Sequence, residues 1–113
     1  MPNFEEIGHI LARFHGGNLR YWHDVGHARV QERLGFIRQR DLLEAYSDML
    51  IGIHLHDVLG VDDHFAPGQG ETNYKELKPF LNPSHLKIFE VHPKVDRDHL
   101  LEGIRFIKSL GLE

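Results

Sequence analysis

Three short runs rich in aliphatic and aromatic residues, 19–23, 51–56 and 86–91, alternate with stretches whose apolar residues recur at helical spacing. Strands separated by helices pair in parallel through right-handed crossovers, so an α/β fold with a parallel sheet follows. The order reads α-β-α-β-α-β-α, one domain over residues 1–113 with no linker or composition shift. In such a sheet ligands gather at the carboxyl ends of the strands. What stands at those three ends therefore matters most.

Asn3 with Glu6 three residues on reads as a cap, and Phe4, Ile7, Leu11 and Phe14 share one helical face up to Gly16-Gly17. Leu19-Arg20-Tyr21-Trp22-His23 is an aromatic strand that delivers Asp24, and a short helix is expected over 29–34. Asp41-Leu42-Leu43-Glu44 repeats the capping spacing and opens a helix with Leu42, Tyr46 and Leu50 on one stripe. Ile51-Gly52-Ile53-His54-Leu55-His56 alternates aliphatic residues with glycine and histidine, so its two faces differ in chemistry. Residues 57–72 read as one long loop, the kind that is usually functional. A short helix over 73–81 ends before Pro83, and a last helix over 98–110 carries Leu101, Ile104 and Leu110, with Gly111 beyond it.

The chain has ten histidines, five of them between residues 23 and 64, and no cysteine. Disulfides and thiolate ligands are thereby excluded, and any metal must take nitrogen or oxygen. Thirteen Lys and Arg against seventeen Asp and Glu leave a net charge of −4. A nucleic-acid partner is not expected, since that needs a phosphate-neutralising surface. Apolar runs of only a few residues fall short of a membrane span, and cytoplasm is the expected compartment.

Asp24, His54 and Glu90 each stand at or near the end of a separate strand. Two carboxylates and one imidazole make a divalent-metal environment with coordination positions left open, as a catalytic ion requires. The oxygen-rich set favours Mn²⁺, Mg²⁺ or Co²⁺, and histidine also admits Zn²⁺. Each residue also has a plainer reading. Asp24 could simply cap a helix, His54 could be a satisfied interior histidine, and Glu90 would be a costly buried charge unless paired. His9, His15, His85 and His99 are expected to face solvent.

The strings Trp22-His23-Asp24-Val25-Gly26-His27-Ala28, His54-Leu55-His56-Asp57-Val58-Leu59-Gly60, Asp63-His64, Pro67-Gly68-Gln69-Gly70 and Phe89-Glu90-Val91 carry a resemblance. Together they resemble the xylose-isomerase-like TIM barrel superfamily, and within it the sugar phosphate isomerases and epimerases and the related AP endonuclease family 2. The resemblance spans nearly the whole chain but only the last three strands of a barrel and the helix before them. A (βα)8 barrel takes about 250 residues. The expectation is therefore a partial barrel, either a fragment of a longer enzyme lacking its N-terminal half, a homo-oligomer, or a truncation with weak or no activity.

The resemblance implies a single ion held by Asp24, His54, Glu90 and a fourth ligand, a glutamate without counterpart here. It implies that Glu90 exchanges a substrate proton through a metal-stabilised enediolate, and that His27 touches a hydroxyl of a sugar or sugar phosphate. His27, Asp62 and His64 are further candidate ligands, matching those that bind extra zinc in the endonuclease branch. Gln69 stands where relatives have glutamate, which removes a carboxylate from the rim. An isomerase or epimerase is the leading expectation, with zinc-dependent phosphodiester hydrolysis and a non-catalytic metal-binding or assembly module as alternatives.

Overall fold

A computed structural model describes residues 4–14 and 16–113; Asn3, read as a cap, and His15 lie outside them. The chain is α/β with a parallel sheet. Helix α1 (Phe4–Arg13) leads to β1 (Tyr21–Asp24), α2 (Val25–Arg33), α3 (Gln39–Tyr46), a 3₁₀ turn (Ser47–Met49) and β2 (Leu50–Leu55). A hairpin of β3 (Asp57–Leu59) and β4 (Asp62–Phe65) follows, then a 3₁₀ segment (Tyr74–Phe80), β5 (Leu86–Phe89) and α4 (Arg97–Ser109). The sheet order is β1-β2-β5, all parallel, with Asp24 beside His54 and His54 beside Ile88. All three carboxyl ends consequently lie on one side.

Side chains alternate across a strand, so this register sorts the sheet into two faces. On the helical face, Val25, Leu43, Ile53, Leu55, Tyr74 and Leu77 form one buried cluster, and Ile7, Leu11, Tyr21, Ala28, Leu42 and Leu50 form a second. Each fully buried Leu or Ile there contributes about 1.5–3 kcal/mol. The strict alternation expected of Ile51, Ile53 and Leu55 fails at its first member. Tyr21 pairs with Leu50 and Trp22 with Gly52, so Ile51 is an extra residue, and it is exposed. Such a bulge bends the strand and re-aims what precedes it, turning Leu50 into the core beside Tyr21.

The other face carries Trp22, Gly52, Leu86 and Ile88 below the strand ends. Leu86 and Ile88 are about half exposed, and no described element covers them. The Trp22 ring lies over Gly52, where any Cβ would overlap it. β1 and β5 each pair on one side only. Parallel sheets are normally buried on both faces, so this surface is unusual for a chain standing alone.

Several boundaries differ from those read in the sequence. Helix α2 starts at Val25 and not near residue 29, because the Asp24 carboxylate accepts the His27 amide and caps it. Helix α3 starts at Gln39, ahead of the expected cap at Asp41, which instead pairs with Arg38; Leu50 belongs to β2. Residues 57–72 are not one loop, since β3 and β4 pair across Gly60. The segment at Tyr74–Phe80 is 3₁₀ and not α: it contains Pro79, which has no amide to donate, and buries Tyr74 and Leu77 at spacing three. Helix α4 begins one residue early, capped by Asp96, and buries Gly103 and Ile107, while Leu101, Ile104 and Leu110 of the expected stripe are partly buried.

A polar chain crosses the interior beside β1. His23 is fully buried; its Nε2–H donates to Gln39 Oε1 at 2.9 Å and its Nδ1 accepts from the Tyr21 hydroxyl at 2.8 Å. Gln39 Nε2 in turn donates to Glu76 at 2.9 Å. Burial pushes the His23 pKa below its usual value, outweighing the Gln39 bond and the Asp24 charge that act the other way. A histidine that holds fewer protons folded than unfolded leaves stability complete above about pH 6.5 and lowers it as pH falls below. The His23 ring should therefore titrate below the usual histidine range in an NMR titration. A midpoint at or above 6.5 would show the buried chain to be differently protonated.

Candidate metal centre

The parallel register brings Asp24, His54 and Glu90 together. His54 Nδ1 lies 3.3 Å from Asp24 Oδ2 and 3.3 Å from Glu90 Oε2. Two ligands on one ion at bond lengths near 2.1 Å and angles of 90–109° stand about 3.0–3.4 Å apart, so each of these two pairs has the spacing of neighbouring ligands. Glu90, just past β5, is 45% exposed at its side chain, not the buried charge that the sequence suggested. The Glu90 amide donates to Leu55 O, which holds the residue against the end of β2.

Asp24 is the hub. Its Oδ1 accepts from the His27 amide at 2.8 Å and from His56 Nε2 at 2.8 Å, while Oδ2 lies 3.3 Å from His27 Nδ1. Burial opposes its ionisation, but the hydrogen bonds from His56 and the His27 amide and the neighbouring imidazoles outweigh it. The carboxyl is held well below the usual carboxylate range. A ligand ready to bind without first losing a proton is what a metal site needs.

Around this hub stands a ring of histidines. His56 and His64 stack at 4.2 Å with planes 3° apart, and His27 meets both edge-on. His64 adopts a φ of 65°, a left-handed conformation uncommon outside glycine, which carries its ring over His56. Its Nδ1 contacts Asp63 Oδ1 at 2.6 Å and its Nε2 lies 3.8 Å from Glu90 Oε2. Asp63 also lies 3.4 Å from His27 Nε2. The residues whose donor atoms all lie close enough together to share a cation are Asp24, His56 and Glu90 in one group and His27, His56 and His64 in another; His54 approaches Asp24 and Glu90 separately and is in neither group. Asp62, a candidate from sequence, is in neither group and is exposed beside Leu59 in the hairpin. The left-handed φ of 65° at His64 breaks the alternation along β4, so that Asp63 and His64 both stand among the histidines.

The rim is fixed by a buried carboxylate. Asp57 accepts from the amides of Val58, Gly68 and Thr72 at 2.9, 2.9 and 3.0 Å. Gly70 packs against Asp57 and the Val58 carbonyl so closely that no Cβ fits. Gln69 closes the turn by accepting from the Ala66 amide. Alongside lies an open cleft of about 650 Å³, lined by Asp62, Asp63, His64, Gln69, His92 and Lys94 among others. That is room for a small molecule next to the cluster.

Sequence reasoning missed His56 and Asp63 as members of the site. The even-numbered face of residues 52–56 already placed His56 beside His54, but nothing local indicated that its ring would reach back to Asp24. Asp63 could not be chosen over Asp62 without the hairpin. His9 and His99 are exposed as expected, and His85 is partly so. Fold and site together define an α/β chain with a parallel three-stranded sheet and a His/Asp/Glu cluster able to hold a divalent cation. Comparison with family models, curated proteins and solved structures gives no match to this chain. Among the described residues no helix is long and apolar enough to cross a membrane.

Proposed function

We propose that the chain is the carboxyl-terminal part of a (βα)8 barrel and carries the metal-holding wall of a sugar or sugar phosphate isomerase or epimerase. The observation that supports this best is the placing of Asp24, His54 and Glu90 at adjacent parallel strand ends, with His54 Nδ1 within 3.3 Å of both carboxylates. Those three would hold Mn²⁺, Mg²⁺, Co²⁺ or Zn²⁺, with positions left for substrate oxygens. A bound divalent ion supplies a Lewis acid that polarises a carbonyl. Glu90, about half exposed at its side chain, would move the proton at the neighbouring carbon. His27, 40% exposed on its side chain and tethered through Asp24 and Asp63, would donate to a substrate hydroxyl.

The uncovered face of Leu86 and Ile88 supports a partner over the sheet, either a second copy or the remaining half of a barrel. A nuclease with several zinc ions fits less well. Asp62 stands apart from the histidines, and a net charge of −4 suits a phosphate backbone poorly. A non-catalytic metal module would share the same ligands but turn over no sugar.

Calorimetric titration of the chelator-treated chain with Mn²⁺ and Zn²⁺, with light scattering for mass, tests the reading. About one ion per chain is expected, lost in His54→Ala, with a mass above that of a single chain. No binding by the native chain would overturn the proposed site.

A further inference from the structure

We infer that His56 is a positioning residue that orients Asp24 so that Oδ2, and not Oδ1, is presented to a divalent ion; this rests on the metal-site reading above. The His56 ring is fully buried and both its nitrogens are engaged. The His64 backbone N–H can only donate, so His56 Nδ1, 3.0 Å away, is the acceptor and carries no proton. The ring proton of the neutral imidazole is then on Nε2, which donates to Asp24 Oδ1 at 2.8 Å. That oxygen also accepts the His27 amide, so its two lone-pair directions are taken. Oδ2 is left facing His54 Nδ1 and His27 Nδ1, each 3.3 Å away.

Proximity alone would make His56 a ligand, since it belongs to both groups of closely spaced donor atoms. Its hydrogen bonds argue otherwise. Ligation through Nε2 would displace the proton and break the bond to Asp24, and Nδ1 is turned to a backbone N–H. The ring has no room to swing. It stacks on His64 at 4.2 Å on one face, and a Cβ at Gly26 would overlap its atoms. Groups that hold a ligand in place in this way typically change metal affinity 10–100-fold when removed.

The test uses the whole chain labelled with ¹⁵N-histidine. A long-range ¹H–¹⁵N correlation should show His56 protonated at Nε2 only; the Nδ1 tautomer would overturn the inference. Mn²⁺ titration then compares native protein with His56→Leu and His56→Gln. The leucine variant should bind about 10–100-fold more weakly. Glutamine, whose amide can still donate to Asp24 and whose carbonyl can accept from His64, should recover much of the loss and leave the Co²⁺ absorption spectrum unchanged. Native affinity in the leucine variant would overturn the positioning role, and an altered Co²⁺ spectrum in the glutamine variant would make His56 a ligand. Should the leucine variant fail to fold, the tautomer and the glutamine spectrum still decide. A native chain that binds no ion, with the Nε2 tautomer in place, sinks the metal reading and leaves His56 holding only the fold.

Discussion

Asp24→Ala should lower stability by about 2–4 kcal/mol and abolish divalent-ion binding, because one carboxylate serves two structures at once. As the cap of α2 it accepts the His27 amide, and losing such a cap costs about 0.5–2 kcal/mol. As the acceptor for His56 it satisfies a buried donor, and stranding that donor costs about 1–3 kcal/mol more. Asp24→Asn separates the two. Asparagine caps as well as aspartate, so that variant should keep most of the stability while losing the charge that binds the ion. Denaturant unfolding, read beside a Mn²⁺ titration, checks both. An Asp24→Ala chain with a native midpoint would show that the cap and the His56 bond are not what hold β1 to α2.

Gly26→Ala should be nearly as damaging, although alanine in a helix is ordinarily about 1 kcal/mol better than glycine. The added Cβ would enter the His56 ring, which cannot retreat because its nitrogens are tied to Asp24 and to the His64 amide. Overpacking costs about 1–3 kcal/mol, and breaking either tie adds an unsatisfied buried group, so a net loss of about 2–4 kcal/mol is expected. Gly8→Ala is the control. There the Cβ meets only the tip of the Tyr46 side chain, which can turn aside. Thermal melts of the two variants should diverge, and a Gly26→Ala chain as stable as Gly8→Ala would mean that the His56 ring is freer than its bonds imply.

Much of this chain was legible before any coordinates. The α/β alternation and the three strand-end residues follow from patterns that are local, with period two for strands and 3.6 for helices. Asp24, His54 and Glu90 needed only the further rule that such strands pair in parallel. The boundaries were harder. Helix α2 begins within Val25-Gly26-His27 because a side chain caps it, and the 3₁₀ segment replaces an α-helix because Pro79 cannot donate.

What only the tertiary structure decided is how those residues face one another. The bulge at Ile51 turns Leu50 into the core, and the hairpin of β3 and β4, with the left-handed turn of His64, brings Asp63 and not Asp62 to the histidines. His56, read from the chain as one more residue on a strand face, proves to be bonded to Asp24, a residue 32 positions earlier. The sequence by itself determined which chemical groups the strand ends would carry, since a strand's direction and length are set by its own residues. Hydrogen-bond partners and exposure depend on segments remote in the chain, and no local period encodes them; the tertiary structure alone decided which oxygen of Asp24 faces His54 and that Glu90 is half open to solvent.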